Sequence, residues 1–199
     1  ETVKTEKDIF DLFQSQFPDA IKLIPNLVED FQKNPTGDLA SVYCKPWHLG
    51  DKALLIGDAA HAVAPFFGQG MNASFQDCST LAKLMGQNEN DWNTIFNAFS
   101  STQVENGHAI ADMALENYLE MRDHVNDPEY KKRRNVELKL ERMFPGQFIP
   151  RYSMVSFHQI PYAEVYQRGE KQFKIISDVL KADPSGQSID KAMVEKMLP

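Results

Sequence analysis

A strand, a glycine-containing loop and a helix follow one another within residues 53–85, and this order constrains the fold more than any other part of the chain. The apolar run Ala53 to Ile56 predicts a buried strand, which ends at Gly57-Asp58. A helix is predicted to open near Met71 or Asn72, and the loop before it contains Pro65, Phe66, Gly68, Gln69 and Gly70. This layout places a carboxylate at a strand end and free backbone N–H groups at a helix N-terminus, which suits an anionic or electron-rich acceptor.

The apolar spacing elsewhere predicts helices and one further strand. Leu39 to His48 alternates in polarity and is expected to pair with the strand at 53–56 across a Gly50-Asp51 turn. The helix that follows the loop, Asn72 to Met85, is expected to bury an apolar face formed by Phe75, Cys78, Leu81, Ala82 and Met85. The other predicted helices are Glu6 to Gln16, a second short one after Pro18, Asp91 to Val125 (unbroken, or broken near Gly107), Pro128 to about Met143, and Tyr162 to Lys181.

Composition limits the classes of protein that fit this chain. With 199 residues, of which 42% are hydrophobic, the chain can bury a substantial core. Its net charge of −7 argues against a nucleic-acid-binding protein, because phosphate contacts dominate that affinity. The two cysteines form no Cys-x-x-Cys pair, so free thiols in a reducing compartment are expected. The five histidines have no metal-ligand spacing, so no metal site is predicted.

The string from Leu54 to Cys78 resembles the second FAD-binding motif of the flavoprotein aromatic hydroxylases, which are single-component, NAD(P)H-dependent monooxygenases. A narrower resemblance, to the members that hydroxylate kynurenine, is carried by four segments in order. These segments are Pro65 to Asn72, Asp77-Cys78, Asn117 to Arg122, and Phe148 to Val155. The likeness covers about Asp8 to Tyr166 and fades beyond about Gln167.

The resemblance implies a tightly bound FAD and a transiently bound NADPH. Asp58 would hydrogen-bond the ribitol, while the backbone of Met71 and Asn72 would meet the pyrimidine edge of the isoalloxazine ring. A side chain at Gly68 or Gly70 would block close approach of the backbone to the ring. These five residues are the expected cofactor-binding set.

Pro65, Phe66 and Gln69 are the expected catalytic residues, because they would line the space between flavin and substrate. In this family, reduced flavin and O₂ form a flavin hydroperoxide, which transfers its distal oxygen to an electron-rich ring. Water promotes decay of that species to peroxide. Apolar Pro65 and Phe66 would therefore protect it by excluding water, and Gln69 would add one directional polar contact.

The substrate is expected to contact Phe66, Gln69, Asn117, Met121 and Tyr152. By resemblance, Asn117 would hydrogen-bond the carboxylate of an amino-acid substrate, with Met121 one turn further along the same helix face. Tyr152 would supply a hydroxyl donor. The implied reaction consumes NADPH and O₂ and converts L-kynurenine to 3-hydroxykynurenine. The alternatives are a related hydroxylase for another aromatic acid and a non-catalytic helical module.

Hydroxylases of this family begin with a strand, a Gly-x-Gly-x-x-Gly turn and a helix that bind the ADP half of FAD. None of the ten glycines here forms that motif. We therefore expect the chain to be the C-terminal half of a longer polypeptide, and to be inactive without the N-terminal half.

The expected fold class is α/β (α+β within this segment). The segment would form part of a two-segment Rossmann-like FAD-binding domain and a substrate sheet, followed by a mostly helical region. Three divisions are expected: 1–52, the end of a substrate-binding domain; 53–90, the second FAD-binding segment; and 91–199, a helical region that closes the substrate pocket.

Two cellular locations follow from the resemblance. Eukaryotic relatives are held on the cytosolic face of the mitochondrial outer membrane by a C-terminal tail not present in this sequence, whereas a bacterial-type enzyme would be cytoplasmic. The basic run Lys131 to Arg134 is expected to be a solvated helix face, with an anionic lipid or the phosphate of NADPH as the alternative partner.

Overall fold

Helices account for most of the described residues, which are 3–35, 37–89, 91–124 and 126–198 of the computed structural model. The chain divides into two units, of which the first ends at Leu39 and the second begins at Ala40. The first unit contains α1 (Glu6–Gln16), a 3-10 turn (Ile21–Leu23) and α2 (Leu27–Lys33). The second contains β1 (His48–Leu49), β2 (Ala53–Leu54), α3 (Asp58–His61), a 3-10 turn (Pro65–Phe67), α4 (Gly70–Gln87), α5 (Trp92–Leu119), a π-helical turn (Glu120–His124), α6 (Pro128–Met143), α7 (Arg151–Phe157), α8 (Tyr162–Ala182) and α9 (Lys191–Glu195).

Two helices begin and end where the sequence predicts, because their caps are encoded locally. The Thr5 hydroxyl accepts the N–H of Asp8, and the Asp8 carboxylate accepts the N–H of Thr5, which forms a capping box for α1. For α6, the Asp127 carboxylate accepts the N–H of Glu129, and Pro128 occupies the first helical position. The residues at which these two helices begin are therefore determined by the local sequence.

The predicted pairing across Gly50-Asp51 is confirmed, but the sheet is much shorter than predicted. The strand predicted to run buried from Ala53 to Ile56 ends at Leu54, and Leu55 and Ile56 are exposed. β1 and β2 pair antiparallel, with His48 opposite Leu54. Before β1, the described residues of the second unit form no strand, so the predicted strand Leu39 to His48 is wrong over most of its length. Pro46 has no N–H to donate to a ladder, which accounts for the late start of the strand.

α5 lies at the centre of the second unit, where it packs against α4 and α8. Apolar side chains from these helices and α7 form one buried cluster, which consists of Ala73, Ala109, Ile110, Met113, Met154, Val155, Tyr162 and Val165. A second cluster lies mainly on α6, α8 and α9, and consists of Val136, Leu140, Phe144, Phe148, Ile175, Ile176, Val179 and Val194. Burial of the first cluster holds α5 against α4, α7 and α8, and burial of the second holds α6 and α9 against α8.

α4 meets the rest of its unit through a face that was not predicted. Ala73 and Asp77 are buried, and Leu81 is half-buried. The predicted apolar face is otherwise exposed, at Phe75, Cys78, Ala82 and Met85. The prediction was wrong because apolar periodicity considers only the large apolar residues. Ala73 is small and lets α5 approach, and the hydrogen bonds of the Asp77 carboxylate are satisfied inside the protein.

α5 runs without a break past Gly107 and continues into the π-helical turn at Glu120–His124. Position 107 requires a glycine because the ring of Trp47 packs against the helix backbone there. A Cβ on Gly107 would lie 2.7 Å from Cη2 of Trp47. Within the described ranges, none of the helices combines the length and the apolarity needed to cross a lipid bilayer.

Gly107→Ala is expected to lower the free energy of unfolding by about 1–3 kcal/mol, as overpacking of a filled core does. Trp47 is 1% exposed and has no room to move aside. The matched control is Gly86→Ala on α4, where a Cβ meets nothing within 4 Å. Greater helix propensity should make that control stabilising, by up to about 1 kcal/mol. Urea titration measures both changes, and equal stabilities of the two variants would contradict the packing described here.

Candidate functional site

The turn between β2 and α3 has a backbone conformation that requires glycine. Gly57 adopts φ 59° and ψ −144°, a region that residues with a Cβ avoid. A Cβ added there would also lie 3.1 Å from Oγ of Ser74, in the second turn of α4. Asp58 follows as the first residue of α3, and its side chain is exposed. The turn therefore packs against α4 through Gly57, and Asp58 follows it directly.

A buried carboxylate fastens this turn to α4 and α5. Asp77 is 2% exposed, and its Oδ2 accepts the N–H of Gly57 at 2.8 Å and lies 2.7 Å from Nε2 of His61. Its Oδ1 accepts a hydrogen bond from Nε2 of Gln103 on α5 at 3.0 Å. A buried carboxylate is tolerated only when hydrogen-bond donors surround it, and these three groups supply them.

Two amide side chains extend this network to α8. Oε1 of Gln103 accepts from Nδ2 of Asn106 at 2.9 Å. Oδ1 of Asn106 accepts the backbone N–H of Ala163, in the first turn of α8, at 3.0 Å. A continuous series of hydrogen bonds therefore joins the start of α8 to Asp77.

The loop before α4 leaves the N-terminus of that helix open. Its 3-10 turn, Pro65–Phe67, ends at Gly68 in the left-handed conformation with φ 65°. A Cβ at Gly68 would meet nothing within 4 Å, so within this chain glycine serves the backbone conformation rather than packing. No side chain of the described residues caps α4, and Met71 and Asn72 in its first turn are exposed. The N–H groups of this turn are available to a bound group.

Gln69, just before α4, is buried, and its neighbours fix its orientation. Its Oε1 accepts from Nδ2 of Asn72 at 2.9 Å and from the hydroxyl of Tyr162 at 3.2 Å. Burial raises the pKa of the Tyr162 phenol, which keeps it protonated and able to donate. Tyr162 opens α8, so the same turn of α8 contacts the loop and the Asp77 network.

Asn117, on α5, is tied to the same loop. Its Nδ2 donates to the backbone carbonyl of Phe66 at 2.7 Å and lies 3.6 Å from Sδ of Met121. The ring of Phe66 packs against Tyr118, with centroids 4.5 Å apart. The structure thus brings Phe66, Asn117 and Met121 together.

A cleft of about 670 Å³ opens between α5, α6, α7 and α8. Asn117 and Tyr152 line it together with Phe67, whose ring stacks on Tyr152 with centroids 5.8 Å apart. In its wall, Arg151 pairs with Glu116 at 2.7 Å. A cleft of this size has room for an aromatic amino acid.

Burial shifts the pKa values of two titratable groups in the cleft wall. Burial and a hydrogen bond to Glu120 raise the pKa of Tyr130 to about 12. Burial also raises the pKa of Glu137 above its ordinary 4.5, although Arg134 pairs with this carboxylate and opposes the shift. The wall therefore carries a phenol that stays protonated and a carboxyl group whose charged form is disfavoured.

Comparisons with known proteins connect this geometry with flavoproteins. Residues 5–95 match the family described as FAD binding domain, and this range includes Asp58, the loop and α4. The chain is 48% identical over 178 residues to kynurenine 3-monooxygenase of Myxococcus xanthus. Identity is 41% over 197 residues to the enzyme of that name from Xanthomonas euvesicatoria, and 41% over 181 residues to the one from Cytophaga hutchinsonii. Over most of its length, the chain is therefore similar in sequence to proteins named kynurenine 3-monooxygenase.

These alignments cover 89%, 99% and 90% of this chain, respectively. They cover only 38%, 43% and 40% of the relatives. The chain thus spans about two fifths of the length of the curated relatives that it matches. The similarity extends well beyond the matched domain, into the helices that surround the cleft.

The residues of the site fit an FAD molecule. The exposed Asp58 carboxylate can accept a hydrogen bond from a ribitol hydroxyl, and the uncapped N–H groups of α4 can bind a polar ring edge. The open space at Gly68 leaves room for a flat ring against the backbone. All three features lie inside the segment that matches the FAD binding domain.

Gln103, Asn106 and Tyr162 are functional candidates that escape prediction from the sequence. One signal could have revealed the first two. They share a face of α5 with Ile110 and Met113, and a polar side chain on such a face needs a buried partner. Tyr162 carries no comparable signal, because its partner Gln69 is 93 residues away.

Glu137→Gln is expected to flatten the dependence of stability on pH above pH 4.5. Because the pKa of Glu137 is raised, the folded state holds the proton more tightly than the unfolded state. That contribution to stability is complete below pH 4.5 and is lost as the pH rises through the raised pKa. Urea titrations between about pH 4 and pH 8 measure the slope. Glu129→Gln, an exposed carboxylate on the same helix, is the control, and a wild-type slope in Glu137→Gln would contradict the assignment.

Proposed function

We propose that this chain supplies the second flavin-binding segment and the pocket-closing helices of an FAD-dependent monooxygenase. The whole enzyme would convert L-kynurenine to 3-hydroxykynurenine, with NADPH as the electron donor and O₂ as the oxygen source. One observation carries the proposal: the segment that matches the FAD binding domain contains an exposed carboxylate, Asp58, directly after the Gly57 turn, and the uncapped N-terminus of α4. The similarity to kynurenine 3-monooxygenases over 89–99% of the chain supports it.

Asp58, Met71 and Asn72 would hold the cofactor. Asp58 would accept a hydrogen bond from a ribitol hydroxyl, and the backbone N–H groups of Met71 and Asn72 would bind the pyrimidine edge of the ring. Gly68 and Gly70 would let the backbone lie close to the ring face. When bound, FAD supplies the redox chemistry that activates O₂ for transfer to an aromatic ring.

Pro65, Phe66 and Gln69 would separate the reacting atoms from solvent. Phe66 is fixed on both sides, by Tyr118 against its ring and by Asn117 against its carbonyl, so the apolar wall is preorganised. Gln69 would orient the substrate through its amide nitrogen, because its Oε1 already accepts two hydrogen bonds. Exclusion of water matters in this reaction because water diverts activated oxygen to peroxide.

The substrate would bind where the loop meets the cleft. Asn117 donates one N–H to Phe66, and its second N–H, which meets only the weak acceptor Sδ of Met121, would donate to the carboxylate of an amino acid. Tyr152 is 53% exposed, and its hydroxyl can donate to the same ligand. Met121 would supply an adaptable apolar contact one turn after Asn117. Tyr118 already packs on Phe66, which leaves the cleft side of the loop for the substrate.

The rest of the enzyme would be an N-terminal half of the same polypeptide. That half would complete a Rossmann-like FAD-binding domain and a substrate sheet, with the divisions 1–52, 53–90 and 91–199 in this chain. The exposed apolar face of α4, at Phe75 and Met85, is a suitable surface for it. The three relatives named above are bacterial, which favours a cytoplasmic enzyme over one held at the mitochondrial outer membrane by a tail.

Asp58→Ala is expected to weaken FAD binding by the full-length protein by roughly 1–3 kcal/mol, because a buried ribitol hydroxyl loses its acceptor. Titration of the apoprotein with FAD, followed by quenching of flavin fluorescence, gives the dissociation constant. Asp11→Ala makes the same change of charge at an exposed site on α1 and serves as the control. Equal affinities in the two variants would refute the assignment of Asp58.

Asn117→Asp is expected to raise the apparent KM for L-kynurenine by about tenfold, the effect of one lost hydrogen bond to a charged group. The new carboxylate would face the Phe66 carbonyl, so the loop should shift and more NADPH should be consumed without product. FAD content should stay at the wild-type level. Asn97→Asp, an exposed position on the same helix, is the control. A variant that lost FAD but kept its KM would show that Asn117 serves the cofactor site instead.

A further inference from the structure

We propose that Asp77 is a positioning residue for the flavin site, held by hydrogen bonds that run in one direction from α8 to its Oδ1 and by the N–H of Gly57, which donates to its Oδ2. The proposal rests on the proposed function, because it assigns Asp77 a role in binding FAD. It concerns residues that would not touch the cofactor. Asp77 would act through Gly57, whose conformation sets the backbone from which Asp58 projects, and through α4, whose N-terminus would bind the ring.

The direction of the hydrogen bonds in this series is fixed at α8. The backbone N–H of Ala163 can only donate, so the group that it meets on Asn106 must be the oxygen. The nitrogen of Asn106 then donates to Oε1 of Gln103, and the nitrogen of Gln103 donates to Asp77. If the oxygen and nitrogen of the Asn106 or Gln103 amide were exchanged, two donors or two acceptors would face each other. The orientation of each amide therefore determines the orientation of the next.

The direction is fixed at the other end as well. The N–H of Gly57 donates to Oδ2 of Asp77. Nδ1 of His61 is buried and has no partner among the described residues, so the ring proton belongs on Nε2, which also donates to Oδ2. Asp77 therefore receives donors on both oxygens and has none of its own to give. A carboxylate meets this requirement, and an amide does not.

Exchange of the charge between positions 77 and 103 tests this series of hydrogen bonds in the full-length protein. Asp77→Asn alone places an N–H against a donor, and Gln103→Glu alone places two carboxylates about 3.0 Å apart. Each single variant should weaken FAD binding by about tenfold. In the double variant, the new amide at position 77 donates to the new carboxylate at 103. Asn106, Gly57 and His61 keep an acceptor, so affinity should return to within about threefold of wild type.

The measurements separate positioning from folding. The dissociation constant for FAD and the visible circular dichroism of bound flavin are recorded well below the unfolding temperature of each apoprotein. Asp112→Asn is the matched control, because that carboxylate accepts from Tyr43 and an amide oxygen can replace it. If Asp77→Asn fails to fold, Gln103→Leu removes one donor from Asp77 and should weaken FAD binding several-fold.

Three results would overturn the proposal. In the first, Asp77→Asn unfolds more easily but binds FAD as wild type does, which would leave Asp77 a purely structural residue. In the second, the double variant binds as weakly as the two single changes combined, which would contradict the direction of the chain. In the third, the wild-type full-length protein binds no FAD, which would refute the proposed function and this proposal with it.

Discussion

The buried carboxylate of Asp77 is the interaction on which the rest of the site depends. A carboxylate with almost no exposure to water must find its donors inside the protein, and here they come from Gly57, His61 and Gln103. Gly57 and His61 belong to the turn and α3, Gln103 belongs to α5, and Asp77 itself lies on α4. The cost of an unsatisfied charge therefore fixes the Gly57 turn, α4 and α5 relative to one another.

The first turn of α8 connects the helices around the cleft to the loop before α4 and to the Asp77 network. Tyr162 donates to Gln69 in the loop, and Ala163 donates to Asn106 in the network that reaches Asp77. A shift of α8 would therefore disturb both the loop and the turn that carries Asp58. This arrangement gives a physical reason for the similarity to kynurenine 3-monooxygenases to continue beyond the FAD binding domain segment.

Local features of this chain were predictable from sequence, and long-range ones were not. The capping box at Thr5 and the strand, turn and helix order around Asp58 depend on neighbouring residues. The buried face of α4 depends on the bond between Asp77 and Gln103, 26 residues apart, which apolar periodicity does not encode. The predicted strand before β1 was too long because local alternation outweighed the missing donor of Pro46. Resemblance to a family supplied the candidate site residues, and the structure supplies the contacts among them.

The most direct test of the account is the absorbance spectrum of the full-length protein, together with its NADPH oxidation in the presence and absence of L-kynurenine. We predict a flavin band in the purified protein. L-Kynurenine should strongly stimulate NADPH oxidation, with 3-hydroxykynurenine as the product. A protein without flavin would contradict the assignment of the site. A flavoprotein whose NADPH oxidation ignores L-kynurenine would contradict the proposed substrate.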